Sequence, residues 1–226
     1  MTNRSQTCPL SLPYFCMLDD IPPSHPEFWS SRYLSANTPW DFDGVPADLR
    51  DFLKRKDTGS TPQTRGKVLI PGCGLGHEIK AFMQAGYDVT AIDFAPGAVE
   101  RARRLNGTAL ASRIILGDFF SHDFAPASFD YIYERAFLCA LLPERREVYR
   151  ARMASLLKYQ GSLLGYFYYQ KPVISEGPPY GFAWGTADEL FARWFLLVKD
   201  SPVSDSVPMF AGRERWQEWR RTSFKG

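Results

Sequence analysis

The sequence predicts an α/β fold: a doubly wound, mostly parallel sheet of seven strands with helices on both faces. Three observations carry this prediction. From Lys67 onward, short apolar runs alternate with stretches of helical periodicity, the pattern of parallel strands joined by crossovers. The stretch "KVLIPGCGLGHE" sets Gly72, Gly74 and Gly76 two apart between an apolar run and a helix. Polar residues recur at successive strand ends, at Asp93, Asp118, Glu134 and Arg135. In open α/β sheets, ligands bind outside those carboxyl ends.

The elements follow in chain order. "KVLI" is a buried strand ending at Pro71. "HEIKAFMQAG" puts Ile79, Phe82 and Met83 at helical spacing, and Gly86 stops the helix. "YDVTAID" is a second strand ending at Asp93, and "APGAVERARRL" a helix with Ala98, Ala102 and Leu105 inward. "SRIILGDFF" is a third strand running to Asp118, and "FDYIYERAF" a fourth. Pro143 suits the first turn of a helix whose apolar stripe is Tyr149, Met153, Leu156 and Leu157. "GSLLGYFYY" is the fifth strand. Thr186 and Glu189 stand at capping-box spacing in "TADELFARW". "WFLLVKDSPV" and "RERWQEWRR" supply two last strands, or a strand and a short helix.

A chain of 226 residues with 45% hydrophobic content can bury one sizeable core. We divide one domain into an irregular extension (1–27), an N-terminal cap (28–66) and the α/β core (67–226). A net charge of +2 gives no field for a polyanion, which argues against a nucleic-acid partner. Cys8, Cys16, Cys73 and Cys139 form no CxxC pair and have no histidines at zinc spacing. No metal is expected, and a reducing compartment is. No run of about 18 apolar residues occurs, so no membrane helix is expected. The proline-broken start makes a poor signal peptide, and the expected location is cytoplasmic.

The glycine loop narrows the cofactor. It reads GxGxG, with His77 where a dinucleotide loop would carry its third glycine. No GK[ST] follows, which excludes a Walker loop. A nucleoside without phosphates fits better, and S-adenosylmethionine is one. Glycines let the backbone approach its amino-acid end. Asp93, about 17 residues past Gly76, is near the spacing of a ribose carboxylate. Asp118 and Phe119 in "GDFF" offer an acceptor for the adenine amino group and a ring to stack on it. Asp93 also stands where the next helix needs a cap, and Asp118 where a turn residue belongs.

From Lys67 to Tyr169 the sequence resembles the class I S-adenosylmethionine-dependent methyltransferases. More narrowly it resembles the thiopurine methyltransferase family, which includes halide, thiocyanate and thiol methyltransferases. Three stretches carry the narrower likeness: "FWSSRYLSANTPWDFDGVPADLRDFL", "IYERAFLCALLPERREVY" and "YYQKPVISEGPPYGF". The resemblance implies a Rossmann-like core with an N-terminal helical cap and S-adenosylmethionine as cofactor. S-adenosylhomocysteine would be the product. It implies transfer of a methyl group to a small soft nucleophile by in-line displacement; a monomer is the default expectation.

It also implies roles. Trp29, Tyr33 and Trp40 close the site. Gly72, Gly74, Gly76, Asp93, Asp118, Phe119 and Glu134 contact the cofactor. Arg135 lies near the acceptor, with a salt bridge to Glu134 or to the "PERRE" helix as the structural alternative. Tyr168, with Tyr169 and Tyr180, shapes the acceptor cavity or donates a hydrogen bond; Arg135 and Tyr168 are the expected catalytic residues. The three histidines, His25, His77 and His122, stand at no obvious acceptor position.

Other readings remain open at this stage. An O- or N-methyltransferase of a small secondary metabolite would need Glu134 or His122 as a base. A nucleic-acid methyltransferase is suggested by "GPPY", but Gly177 stands where such motifs carry Asp or Asn. A non-catalytic protein could keep the loop as structure.

Overall fold

The computed structural model describes residues 21–55, 65–170 and 177–223. Its strands are β1 (Lys67–Pro71), β2 (Asp88–Asp93), β3 (Ile114–Leu116), β4 (Phe129–Arg135), β5 (Leu157–Tyr168), β6 (Phe195–Pro202) and β7 (Glu214–Arg221). They form one seven-stranded sheet in the order β3-β2-β1-β4-β5-β7-β6. The first five pair in parallel, and β7 runs antiparallel between β5 and β6. Both C-terminal segments are therefore strands. The helices are α1 (Pro26–Leu34), α2 (Ala47–Arg55), α3 (His77–Gln84), α4 (Pro96–Asn106), α5 (Thr108–Ala111), α6 (Arg146–Leu156) and α7 (Thr186–Phe191).

Side-chain alternation along the strands builds a core on each face. Leu69, Ile132, Leu163 and Phe167 meet Tyr149 and Met153 of α6 and Phe191 of α7. Val68, Ile70, Tyr133, Leu164 and Tyr166 meet Phe52 of α2, Ile79 and Phe82 of α3 and Val99 of α4. Both faces are covered, so the central strands read as unbroken apolar runs. The strand order reverses between β1 and β4, and their carboxyl ends open the crevice where such folds bind ligands.

The cap is seated on α4. Gly97 lets the two helices touch, for a Cβ there would lie 2.7 Å from the Ser30 carbonyl oxygen. Gly97 N–H donates to Ser30 Oγ at 2.9 Å, and the Arg101 guanidinium donates to the Tyr33 carbonyl at the end of α1.

Several sequence expectations shift. Leu105 is 45% exposed, because the buried stripe of α4 runs through Ala98, Val99, Ala102 and Asn106. β3 stops at Leu116 and Asp118 follows it in a turn, not in the strand. Leu157 opens β5 rather than closing α6. No capping box forms at α7: Gly185 is the N-cap, with φ of 88°, and Thr186 Oγ1 donates back to the Ala183 carbonyl at 2.8 Å. The first cap helix begins at Pro26, two residues before the expected boundary. Residues 1–20 of the expected extension, 56–64 of the cap and 171–176 of "YYQKPVISEGPPYGF" lie outside the described residues. Among the described residues, no helix is long and apolar enough to cross a membrane.

Candidate active site

The glycine turn leaves β1 at Pro71. Gly72, Gly74 and Gly76 all take left-handed φ angles, 57°, 52° and 65°. Side chains are excluded by this chain's own aromatics as well as by backbone conformation. A Cβ at Gly72 would strike the Phe137 ring, and one at Gly74 would lie 2.6 Å from the Tyr33 hydroxyl. Two buried residues pin the turn. Asp93 Oδ2 accepts the Gly74 N–H at 2.9 Å, and Asn106 Nδ2 donates to the Gly76 carbonyl at 3.1 Å.

Asp93 ends β2 and is 7% exposed. Its second oxygen accepts the Ala95 N–H at 2.9 Å, just ahead of α4. The carboxylate thus fixes the chain just ahead of α4 without capping the helix itself, and it also borders the cavity above the turn. Burial pushes its pKa up, and the N–H groups of Ala95 and Gly74 work against that rise. Asp118 is exposed and turns the chain, Oδ1 accepting the Phe120 N–H at 2.9 Å. Phe119 is buried beside it, edge-on to Phe120 at 5.2 Å and to Phe137 at 5.5 Å.

Aromatic residues from the cap form the roof. Trp40 packs edge-on to Trp29 at 5.4 Å and to Tyr33 at 5.9 Å, and its Nε1 donates to the Tyr33 hydroxyl at 3.2 Å. Trp29 Nε1 donates to the Pro23 carbonyl at 2.7 Å. A further stitch joins the cap to α3: His77 Nε2 lies 3.2 Å from Asp41 Oδ1 and 3.3 Å from Oδ2. The hydrogen bond His77 donates to the Asp41 carboxylate raises the His77 pKa. Burial opposes the Asp41 charge, but His77, the Asp43 N–H and Arg135 together outweigh it and the carboxyl titrates below its usual range. Side-chain ligand atoms of Asp41, Asp43 and His77, one from each, lie within 4.8 Å of one another; the ion pair joins His77 to Asp41, and the Asp43 N–H donates to Asp41 Oδ1 at 3.3 Å.

A cavity of about 850 Å³ lies between floor and roof, within the range of small-molecule sites. Trp29, Tyr33, Trp40, Gly72, Asp93, Asp118, Phe119 and Arg135 all border it. An annexe of about 50 Å³ is bordered by Gly72, Gly74 and Gly76, with Arg135, His77 and Glu78. The far wall is Cys139, Pro178, Pro179, Met209 and Phe210.

Arg135 joins cavity and annexe. Its Nη1 is 3.7 Å from Glu78 Oε1, and the guanidinium lies over the rings of Phe42 at 4.9 Å and Tyr166 at 5.5 Å. The ion-pair partner is therefore Glu78, not Glu134 or the "PERRE" segment. Tyr133 donates to the same Glu78 oxygen at 3.3 Å. Arg135 Nε is buried without a hydrogen-bond partner among the described residues.

Two expected site residues are corrected by the geometry. Glu134 is in neither lining, because adjacent residues on β4 face opposite ways and it points toward α6. Its Oε1 accepts the N–H groups of Phe137 at 3.0 Å and Leu138 at 2.9 Å, and Oε2 accepts the Tyr149 hydroxyl at 2.7 Å. It holds the Arg135–Ala140 turn, in which Ala136 has a strained φ of 57°. Burial pushes this carboxyl up to about 7. Tyr168 is 4% exposed and lies behind the wall, against Phe210 at 5.2 Å and under Arg213 at 5.3 Å. It supports the cavity without bordering it. Sequence reasoning missed Phe137, Glu78 and Asn106. Glu78 had a readable signal, lying beside Ile79 in the first turn of a helix leaving the loop; the other two had none.

Comparison with known proteins agrees with this architecture. A family model described as thiopurine S-methyltransferase matches residues 24–221. An Arabidopsis thaliana protein named "Probable thiol methyltransferase 2" is 34% identical over 202 residues, covering 86% of this chain and 85% of its own. Thiocyanate methyltransferase 1 of the same plant is 28% identical, covering 85% and 84%. The thiopurine S-methyltransferase of Vibrio atlanticus is 24% identical, covering 80% and 88%. The fold matches a solved structure of the Burkholderia thailandensis 1,6-didemethyltoxoflavin-N1-methyltransferase, with 1,6-didemethyltoxoflavin and S-adenosylhomocysteine bound. That likeness has a TM-score of 0.67 at 20% identity and covers 96% of this chain and 94% of the other. With nearly the whole described chain matched, the protein belongs to the thiopurine S-methyltransferase family.

Proposed function

We propose that this chain is an S-adenosylmethionine-dependent methyltransferase whose acceptor is a small soft nucleophile: a thiol, thiopurine, thiocyanate or halide. One observation carries the reading. A single cavity joins Gly72 of the turn that Asp93 holds, an Asp118–Phe119 end, Arg135 and an apolar wall. The names of the relatives point to the same acceptor class.

The residues fit the cofactor. Asp93 keeps acceptor capacity beyond the two N–H groups it binds, and Arg135 Nε is a buried donor still to be satisfied. When bound, S-adenosylmethionine supplies a methyl group on a cationic sulfur. Asp93 is assigned to the ribose hydroxyls, Asp118 to the adenine amino group, and Phe119 to the face of the base. The backbone of the Gly72, Gly74 and Gly76 turn is assigned to the amino-acid end. Trp29, Tyr33 and Trp40 exclude water and turn π faces toward a cation. A dry pocket favours a reaction in which an anion and a cation lose their charges together. Arg135 draws an anionic acceptor in and holds it against the wall. A soft anion needs no base, and the larger cavity has no histidine in its described lining. An oxygen or nitrogen acceptor is disfavoured, because Glu134 faces Tyr149 and His122 packs on Phe124 at 4.4 Å. Cysteine usage fits a reducing compartment, and we place the enzyme in the cytoplasm, working as a monomer without a metal.

The test is a panel of acceptors with methyl-labelled S-adenosylmethionine. Labelled product is expected from iodide, bisulfide, thiocyanate or an aromatic thiol, and none from phenols or amines. The reading fails if all soft acceptors are inert while a hydroxylated or amino compound is methylated.

A further inference from the structure

The acceptor wall is hydrogen-bonded from behind. Arg146, the first residue of α6, sends Nη2 to the carbonyls of Tyr180 at 3.1 Å and Gly181 at 2.9 Å. Its guanidinium lies 4.2 Å from the centre of the Phe182 ring. The Tyr180 N–H in turn donates to the Cys139 carbonyl at 2.7 Å. The Tyr180 ring packs on Gly177, where a Cβ would lie 2.6 Å from it. Gly177, Pro178, Pro179 and Cys139 border the cavity, while Arg146 does not. One side chain thus fixes a segment distant in sequence against the turn after β4.

We propose that Arg146 is a positioning residue for the methyl acceptor: it sets the Gly177–Phe182 segment against Cys139 and so determines which acceptors the wall admits. This rests on the methyltransferase reading above. A guanidinium suits the task because one terminal nitrogen, Nη2, donates to two adjacent carbonyls while the planar face covers Phe182. A lysine offers a compact point charge in its place. The link to selectivity is geometric. A bulky acceptor touches the wall along its length, whereas a halide touches it at few points.

The test compares the full-length wild type with Arg146→Met and Arg146→Lys. Three quantities are measured: KM for iodide and for an aromatic thiol at saturating S-adenosylmethionine, S-adenosylhomocysteine affinity by calorimetry, and the rate at which a maleimide labels Cys139, followed by peptide mapping. For Arg146→Met, the aromatic-thiol KM rises about tenfold or more, and the iodide KM rises less. Affinity for S-adenosylhomocysteine stays within about twofold, and Cys139 labels several-fold faster. Arg146→Lys falls between the two and serves if the methionine variant does not fold. The proposal is overturned if both acceptor KM values and Cys139 labelling match wild type, or if cofactor affinity falls in step with acceptor KM. Wild type that binds S-adenosylhomocysteine but methylates no acceptor overturns the functional reading, and this proposal with it.

Discussion

Asp93→Ala abolishes S-adenosylhomocysteine binding at micromolar concentrations and lowers the melting temperature. The carboxylate accepts the Gly74 and Ala95 N–H groups, and it is 7% exposed. A hydrogen bond to a charged group contributes about 1.5–3 kcal/mol, so losing the pair costs roughly 3 kcal/mol or more. For a chain of this length, that corresponds to a fall in Tm of about 6–12 °C. Affinity falls further, by about 100-fold or more, because the ribose loses its acceptor and the turn its anchor. Asp93→Asn keeps one acceptor but presents an amide to the other N–H, so it falls between. Calorimetry and a thermal melt decide the matter. Binding within about threefold of wild type in the alanine variant would remove Asp93 from the cofactor site.

Glu134→Leu has the second large effect. It strands the Phe137 and Leu138 N–H groups and the Tyr149 hydroxyl in the interior. Unmade buried hydrogen bonds cost about 1–3 kcal/mol each, so the expected loss from the three groups is roughly 3–9 kcal/mol, a large share of a typical domain's stability. Methyl transfer drops by about 100-fold or more, because the turn sets Arg135 and Phe137 at the cavity. Glu134→Gln retains the arrangement: its oxygen serves the two N–H groups, and its amide donates to the Tyr149 hydroxyl. The glutamine variant also isolates a pH effect. Burial raises the Glu134 pKa from 4.5 to about 7. A carboxyl whose folded pKa is raised contributes stability that is full below the unfolded value and lost as pH rises through the folded one. Between pH 4.5 and 8 the wild type therefore loses up to about 3 kcal/mol from this group, and Glu134→Gln does not. Asp93, Glu78 and Glu214 are also shifted up by burial, so the difference between the two proteins, not the wild-type slope, is the reading. Urea titrations at pH 5 and pH 8 measure it. Equal slopes would contradict the assignment.

What the sequence revealed was its periodic part. Five parallel strands, the glycine turn and the acids at the tips of β2 and β3 were legible because a strand's end and its apolar run are local properties. The same reasoning failed where side-chain direction mattered. Glu134 and Arg135 are adjacent, yet one faces α6 and the other the cavity, and neither composition nor spacing chose between them. Tyr168 belongs to an aromatic run whose members divide between the two cores and the support behind the wall only once β7 lies beside β5. The Thr186–Glu189 spacing promised a capping box, but Gly185 in the left-handed conformation starts the helix instead. Phe137 over Gly72 and Asn106 under Gly76 join residues far apart in the chain, so no local pattern announces them.

The central claim is that the glycine turn, Asp93 and Asp118 together hold a sulfonium nucleoside. A crystal structure of the S-adenosylhomocysteine complex tests it most directly. The account predicts ribose hydroxyls within hydrogen-bond distance of Asp93, the adenine between Asp118 and Phe119, and the amino-acid end over Gly72 and Gly74. A ligand seated away from Gly74 and Asp93, or crystals grown with it that bind none, would contradict it.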